Sequence, residues 1–412
     1  MSKTITIQFT EIEGSVAAPK GFTAGGIHCG IRKNRSKRDL ALIACEQPCA
    51  AAAVYTQNKV KGAPILITQQ NLADGRAQAV VCNSGNANTC NPDGPEIARQ
   101  MCRLTAEALG IAPEDVVVAS TGVIGQPLNI APIASGIGPL AGSLSKQGGG
   151  YASEAILTTD LAAKEIAIQF ELGGKTCTLG AIAKGSGMIH PNMATMLGFL
   201  TTDAAISPAL LHKALLASVQ DTYNMVSVDG DTSTNDMVSI LASGLAGNPE
   251  IAEENADYHT FCAALAVVNH RIARMMAADG EGATKLLVIE VTGAADTAAA
   301  RVVAKSVCTS SLFKAAMFGA DANWGRVLCA IGYAPVEVDI DGVDVAFASA
   351  AGSIQVCKGG RGLPFDEAAA KEILLQKEIT VQITLRDGDG AATAYGCDLT
   401  YDYVKINGDY RT

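Results

Sequence analysis

A chain of 412 residues, 48% hydrophobic and 17% charged, has room for two or three domains and describes a compact folded protein rather than a disordered one. A net charge of −10 argues against a general nucleic-acid binder, and no apolar run of about 18 residues or more is present to span a membrane, so a cytoplasmic location is expected. Twelve cysteines without Cys-x-x-Cys pairs or a secretion signal read as reduced, mostly buried thiols, and no metal site is expected.

In chain order, residues 1–7 alternate polar and apolar as a strand does. Residues 20–65 read as short strands and turns, with Leu40-Ala41-Leu42-Ile43-Ala44 and Ala51-Ala52-Ala53-Val54-Tyr55 as apolar runs and Gly25-Gly26 as a turn. The one dense basic run, Arg32-Lys33-Asn34-Arg35-Ser36-Lys37-Arg38, reads as a solvated surface turn. Ile97, Met101, Leu104 and Ala108 repeat at helical spacing, and Gly110 stops the helix.

Val116-Val117-Val118-Ala119 reads as a buried strand ending at Ser120-Thr121-Gly122. There a rigid element can project the Thr121 hydroxyl and the unobstructed Gly122 amide, the two donors an oxyanion needs; alone, the same residues also fit an ordinary strand-to-loop turn. Residues 131–150 look like a loop or loose helix, and Ile156-Leu157-Thr158-Thr159-Asp160 like a strand end with hydroxyls available to a ligand. Two alternating stretches, 165–171 and 176–182, deliver Lys184 to a strand end.

Further on, Ser207-Pro208 caps a helix running through Leu211, Leu215 and Val219. Asp229-Gly230-Asp231-Thr232-Ser233 begins like a calcium loop, but Thr234 and Ile240 stand where glycine and glutamate are needed, so calcium is not expected. A long helix over about 251–276 carries Phe261, Leu265, Val268, Ile272 and Met276 on one face and ends by Gly280. Glu281 follows, before the strand Leu286-Leu287-Val288-Ile289; a carboxylate there fits a solvated or backbone-capping group, and as a binding group it suits the cationic end of a substrate. Helices over 312–318 and 365–375 and an alternating strand at Ile379, Val381, Ile383 and Leu385 complete the pattern. Without regular βαβ spacing, layered sheets flanked by helices fit better than one parallel sheet, which places the chain in the α+β class.

The stretch that organises this chemistry is Lys184-Gly185-Ser186-Gly187-Met188-Ile189-His190-Pro191-Asn192-Met193-Ala194-Thr195-Met196-Leu197. Gly185, Gly187 and Pro191 allow a tightly bent loop that runs into an apolar strand. A threonine hydroxyl is a poor nucleophile without a base beside it, and one available base is the threonine's own α-amine, which exists only if the chain is cut at Ala194–Thr195. Such an amine titrates near ~8 against ~10.4 for lysine, so a usable neutral fraction exists at physiological pH.

These residues resemble the self-cleavage signature of the ornithine acetyltransferase family of arginine biosynthesis. Other stretches agree in order along the chain: Cys82-Asn83-Ser84-Gly85-Asn86-Ala87-Asn88, Ser120-Thr121-Gly122-Val123-Ile124-Gly125, Thr158-Thr159-Asp160, Asp229 to Asp236, Asp279 to Lys285, Gly319 to Arg326, and Ile406 to Thr412. His190 departs from the pattern, where a small residue is expected; a ring facing Thr195 would perturb the amine, while the plainer and preferred reading is a loop histidine that points elsewhere. The resemblance implies an α/β/β/α-like sandwich, as in N-terminal-nucleophile enzymes, with a smaller C-terminal α/β region. It also implies cleavage into an alpha chain (1–194) and a beta chain (195–412), and an (alpha-beta)2 heterotetramer. The implied reaction moves acetyl from N2-acetylornithine to L-glutamate through an acetyl-Thr195 ester. Thr121 and Gly122 would form the oxyanion hole, and Thr158, Lys184, Thr195, Glu281, Asn407 and Thr412 the substrate site. No cofactor is expected. Acetyl-CoA as a further donor, adding N-acetylglutamate synthase activity, stays open, since no phosphate-cradling loop is evident. The alternatives are a hydrolase or aminopeptidase with the same type of nucleophile, and a metabolite-binding protein with an uncut chain.

Overall fold

The computed structural model describes residues 7–190 and 196–409. Among them sixteen strands follow in chain order: β1 (Thr10–Ile12), β2 (Phe22–Ile27), β3 (Leu40–Tyr55), β4 (Arg76–Asn86), β5 (Val116–Val123), β6 (Lys164–Leu172), β7 (Lys175–Lys184), β8 (Leu197–Thr202), β9 (Val226–Ser227), β10 (Met237–Ala242), β11 (Leu286–Ala294), β12 (Asp344–Ser349), β13 (Gly352–Lys358), β14 (Arg361–Gly362), β15 (Glu378–Thr384) and β16 (Gly390–Cys397). The first sheet has the order β1-β6-β7-β8-β10-β3-β4-β5, with β2 paired to β3; the second has the order β14-β13-β12-β15-β11-β16-β9.

Period-two alternation builds the first sheet. Leu40 and Leu42 of β3 and Val116 and Val118 of β5 face the helices Gly94–Leu109 and Ala131–Gly142, while Ala41, Ile43, Val117 and Ala119 point into a second buried cluster with Ala152 and Ile156. The helices Pro208–Asp221 and Ala256–Ala278 fill the space between the two sheets, joining Ile168, Leu179 and Leu200 of the first to Leu286 and Val288 of the second in one core. The second sheet buries its other face against helices over 297–332 and 367–374. The α+β layering expected from the sequence is therefore present, with a helical layer between the sheets that no single stretch of sequence indicates.

Several local expectations change. Gly25-Gly26 lies inside β2 rather than in a turn, because a Cβ on Gly26 would stand 2.0 Å from the Tyr151 carbonyl oxygen; the glycine lets the helix Gly149–Ile156 pack onto the strand. The two apolar runs of residues 40–55 are one strand, whose register against β4 shifts between Ala44 and Cys49. Residues 131–150 are largely helical, within Ala131–Gly142 and the start of Gly149–Ile156. Ile156 ends that second helix, so Thr158, Thr159 and Asp160 form a turn and not a strand end. The long helix begins at Ala256, where the Asn255 side chain accepts from the Tyr258 amide. The strand expected over residues 1–7 falls almost wholly outside the described residues. All twelve cysteines are unpaired, eight of them buried. Among the described residues no helix is long and apolar enough to cross a membrane.

Candidate active site

The site grows from the ends of β5 and β7. In β5, Thr121 and Gly122 are in register with Ser84 and Gly85 of the parallel strand β4. Gly122 has φ +131°, and a Cβ there would lie 2.3 Å from the Gly85 carbonyl carbon, so only glycine leaves this amide uncovered. Asn235 clamps the strand end from across the molecule. Its Nδ2 donates to the carbonyls of Ser120 at 2.9 Å and Ala87 at 2.6 Å, while its Oδ1 accepts from the hydroxyls of Thr89 and Thr234. A buried amide with every site used is a rigid strut.

At the end of β7, Lys184 is buried, with Nζ 4.0 Å from Asp160 Oδ2. Asp160 Oδ1 accepts from Lys164 Nζ at 2.7 Å and from the Gly185 amide at 2.7 Å, and Oδ2 accepts from the Thr158 amide at 2.9 Å. Burial by itself would raise this carboxyl, but the Lys184 and Lys164 cations and the hydrogen bonds outweigh it and hold Asp160 well below the ordinary carboxylate range. Lys164 also reaches Asp279 Oδ2 at 2.5 Å, so two lysines and two aspartates offset one another in the interior.

Glu281 enters from the other side, after the long helix. Its amide donates to the Ser186 carbonyl at 2.9 Å, and its Oε2 accepts from Asn407 Nδ2 at 2.7 Å. Gly187 passes so near that a Cβ there would be 2.3 Å from the Glu281 carboxyl carbon. Thr121, Gly122, Thr158, Lys184, Glu281 and Asn407, drawn from five separate segments, all line one cavity of about 340 Å³. Ala194, Thr195 and Thr412 lie outside the described residues.

A much smaller cavity adjoins the first, sharing Thr121, Lys184 and Ser233 and adding Met196 and Asp236. Asp236 is buried, its Oδ2 has no hydrogen-bond partner among the described residues, and its carboxyl accepts from the Met196 amide. Burial pushes it well above the ordinary carboxylate range, against the Ser233 hydrogen bond and the Lys184 charge. Asp236, Asn235 and Asp160 all fall in stretches that resemble the family, yet the sequence marks none of them as part of the site. Their roles are supporting ones, set by burial and partners. His190 lines neither cavity. Its Nδ1 lies 3.2 Å from the Ser227 hydroxyl, its carbonyl accepts from the Thr232 hydroxyl, and burial, with the Lys305 cation, pushes the ring down to about 4.

A cavity with a cation, a carboxylate and a paired hydroxyl and amide suits an enzyme that holds a small zwitterion and stabilises negative charge on a carbonyl oxygen. Comparison with known proteins identifies the kind. The chain belongs to the ArgJ family, whose model matches residues 23–412. It is 53% identical over 403 residues to the arginine biosynthesis bifunctional protein ArgJ of Symbiobacterium thermophilum, covering 97% of this chain and 99% of that one. It is 47% identical to the protein of that name from Bacillus subtilis, covering 98% of both. Among solved structures, the arginine biosynthesis bifunctional protein argJ of Bacillus halodurans is 46% identical, with TM-score 0.50, covering 52% of this chain and 100% of that one. The chain is thus an acetyltransferase of arginine biosynthesis, and the reading as a metabolite-binding protein without catalysis is set aside.

Proposed function

We propose that the chain transfers acetyl from N2-acetylornithine to L-glutamate through an ester on Thr195, after cutting itself between Ala194 and Thr195. The observation that carries this is the convergence of Thr121, Gly122, Thr158, Lys184, Glu281 and Asn407 on one cavity, with Met196, the residue bonded to Thr195, on the wall of its neighbour. The register supports it too, because Lys184 stands opposite Leu197, so the bent loop leaves and returns at adjacent strands beside the cavity.

In this cycle Lys184 meets the substrate α-carboxylate and Glu281 the side-chain ammonium of ornithine. The Thr195 oxygen attacks the acetamide carbonyl and its amine takes the proton, while the Thr121 hydroxyl and Gly122 amide stabilise the oxyanion. The proton goes to the departing ornithine nitrogen. Glutamate then attacks the ester and restores the free hydroxyl. Relatives matched over nearly their whole length are named bifunctional, which supports a second reaction, N-acetylglutamate synthesis from acetyl-CoA. The solved relative's chain is matched in full by about half of this one, as a protein cut near its middle would be. The cut chains would assemble as an (alpha-beta)2 heterotetramer in the cytoplasm.

Purified protein should give two chains on a denaturing gel, with masses set by the 194/195 junction, and Thr195→Ala should give one inactive chain. An uncut wild-type chain with full activity contradicts the proposal. Acetyl release to water with no transfer to glutamate would favour the hydrolase instead.

A further inference from the structure

None of the densest positive run in this acidic chain, residues 32–38, lines the cavity described above. It forms the connection from β2 to β3. Because Leu40 at the start of β3 pairs with Asn83, the connection lies at the end of the sheet where β4 and β5 run out past Gly85 and Gly122.

Two contacts put it beside the cavity. The Arg32 guanidinium donates to the carbonyl of Leu157, the residue before Thr158. A Cβ on Gly85, the register partner of Gly122, would meet the Arg32 side chain at 2.9 Å. The connection is also held in shape. The buried Asp39 carboxylate accepts from the amides of Cys29 at 2.6 Å, Gly30 at 3.2 Å and Arg32 at 3.0 Å, and Arg38 pairs with Glu154 at 2.9 Å and covers the Tyr151 ring. This scaffold leaves Lys33, Arg35 and Lys37 exposed, with no ion-pair partner among the described residues.

A cavity of about 340 Å³ accommodates an acetylated amino acid but not a nucleotide as well. A donor that carries its acetyl group on a long arm would insert the acyl end and leave its phosphates outside. Three unpaired cations on a pinned loop there would attract a polyanion against the chain's overall negative charge. We propose that Lys33, Arg35 and Lys37 form a phosphate-binding rim for an acetyl thioester of a phosphorylated carrier of the coenzyme A class. This rests on the Thr195 transfer proposed above. The Thr195 oxygen attacks the thioester carbonyl, the C–S bond breaks as the C–O bond forms, and the hydroxyl proton passes through the α-amine to the departing thiolate.

The test compares acetyl-CoA with S-acetylpantetheine, which has the same acyl group and arm but no phosphate, in wild type and in a Lys33→Gln/Arg35→Gln/Lys37→Gln variant. The wild type should use acetyl-CoA well and S-acetylpantetheine poorly. The variant should lose roughly tenfold in kcat/KM with acetyl-CoA, three exposed cations each contributing a few-fold. It should change little with S-acetylpantetheine and keep its acetylornithine–glutamate activity. Added salt should raise the wild-type KM for acetyl-CoA more than for S-acetylpantetheine. Equal effects on both thioesters, no effect on either, or parallel loss in all three reactions overturns the rim. So does a wild type that uses acetylornithine but not acetyl-CoA. Absence of the acetylornithine reaction from the wild type would instead sink the proposed function.

Discussion

Asp160 and Asp236 are buried carboxylates driven in opposite directions near the same lysine. Folded Asp160 holds its proton less tightly than an unfolded aspartate, whose pKa is near ~3.9, so its stabilisation is complete above that value and is lost as pH falls through the lowered folded pKa. Asp236 has the opposite sign. The folded state binds its proton more tightly, so stability declines as pH rises from ~3.9 through the raised folded value. Asp160→Asn should therefore lower Tm at pH 8, at a cost of about 3–5 kcal/mol for breaking a buried ion network, whereas Asp236→Asn should raise it. Thermal unfolding of both variants at pH 5 and pH 8 checks the pair, and a lowered Tm for Asp236→Asn at pH 8 contradicts the assignment. Thr121→Ala, if its hydroxyl meets the oxyanion, should reduce kcat by roughly 100- to 1,000-fold with little change in Tm. Residue types were readable in the linear chain, since a hydroxyl beside a glycine or a lone lysine at a strand end carries its chemistry with it. The proton affinities were not, because desolvation depends on what other segments pack around the group.

Elements whose signal is periodic were legible, and those shaped by close approach were not. The stripe Phe261, Leu265, Val268, Ile272 and Met276 announces a buried helical face, and all five side chains are fully buried. The helix Gly149–Ile156 and the strand holding Gly26 were hidden, since glycine signals a turn locally while here it admits a neighbouring backbone. Gly26→Ala should push that helix off β2 and cost about 1–3 kcal/mol. Because the helix leads directly into Thr158, the variant should also raise KM for acetylornithine. A urea midpoint and a KM measured on the same sample test both, and an unchanged midpoint argues against the packing role.

On the scale of the molecule, a cut between residues 194 and 195 would not divide the first sheet into halves. β8 and β10, from beyond the cut, lie in its middle, between β7 and β3 from before it, with Lys184 paired to Leu197 and Tyr55 to Met237. The two pieces should elute as one species in native buffer and separate only in denaturant; two peaks on a native sizing column would contradict this. Along the chain alone, Thr121, Gly122, Thr158, Lys184 and Glu281 could be named because short motifs state local chemistry, Asn407 only through the family resemblance, and α+β layering followed from where apolar residues recur. Their assembly into one cavity, the clamp by Asn235, the turning of His190 toward Ser227 and the basic loop beside the site depend on long-range strand register and burial, which no linear pattern encodes.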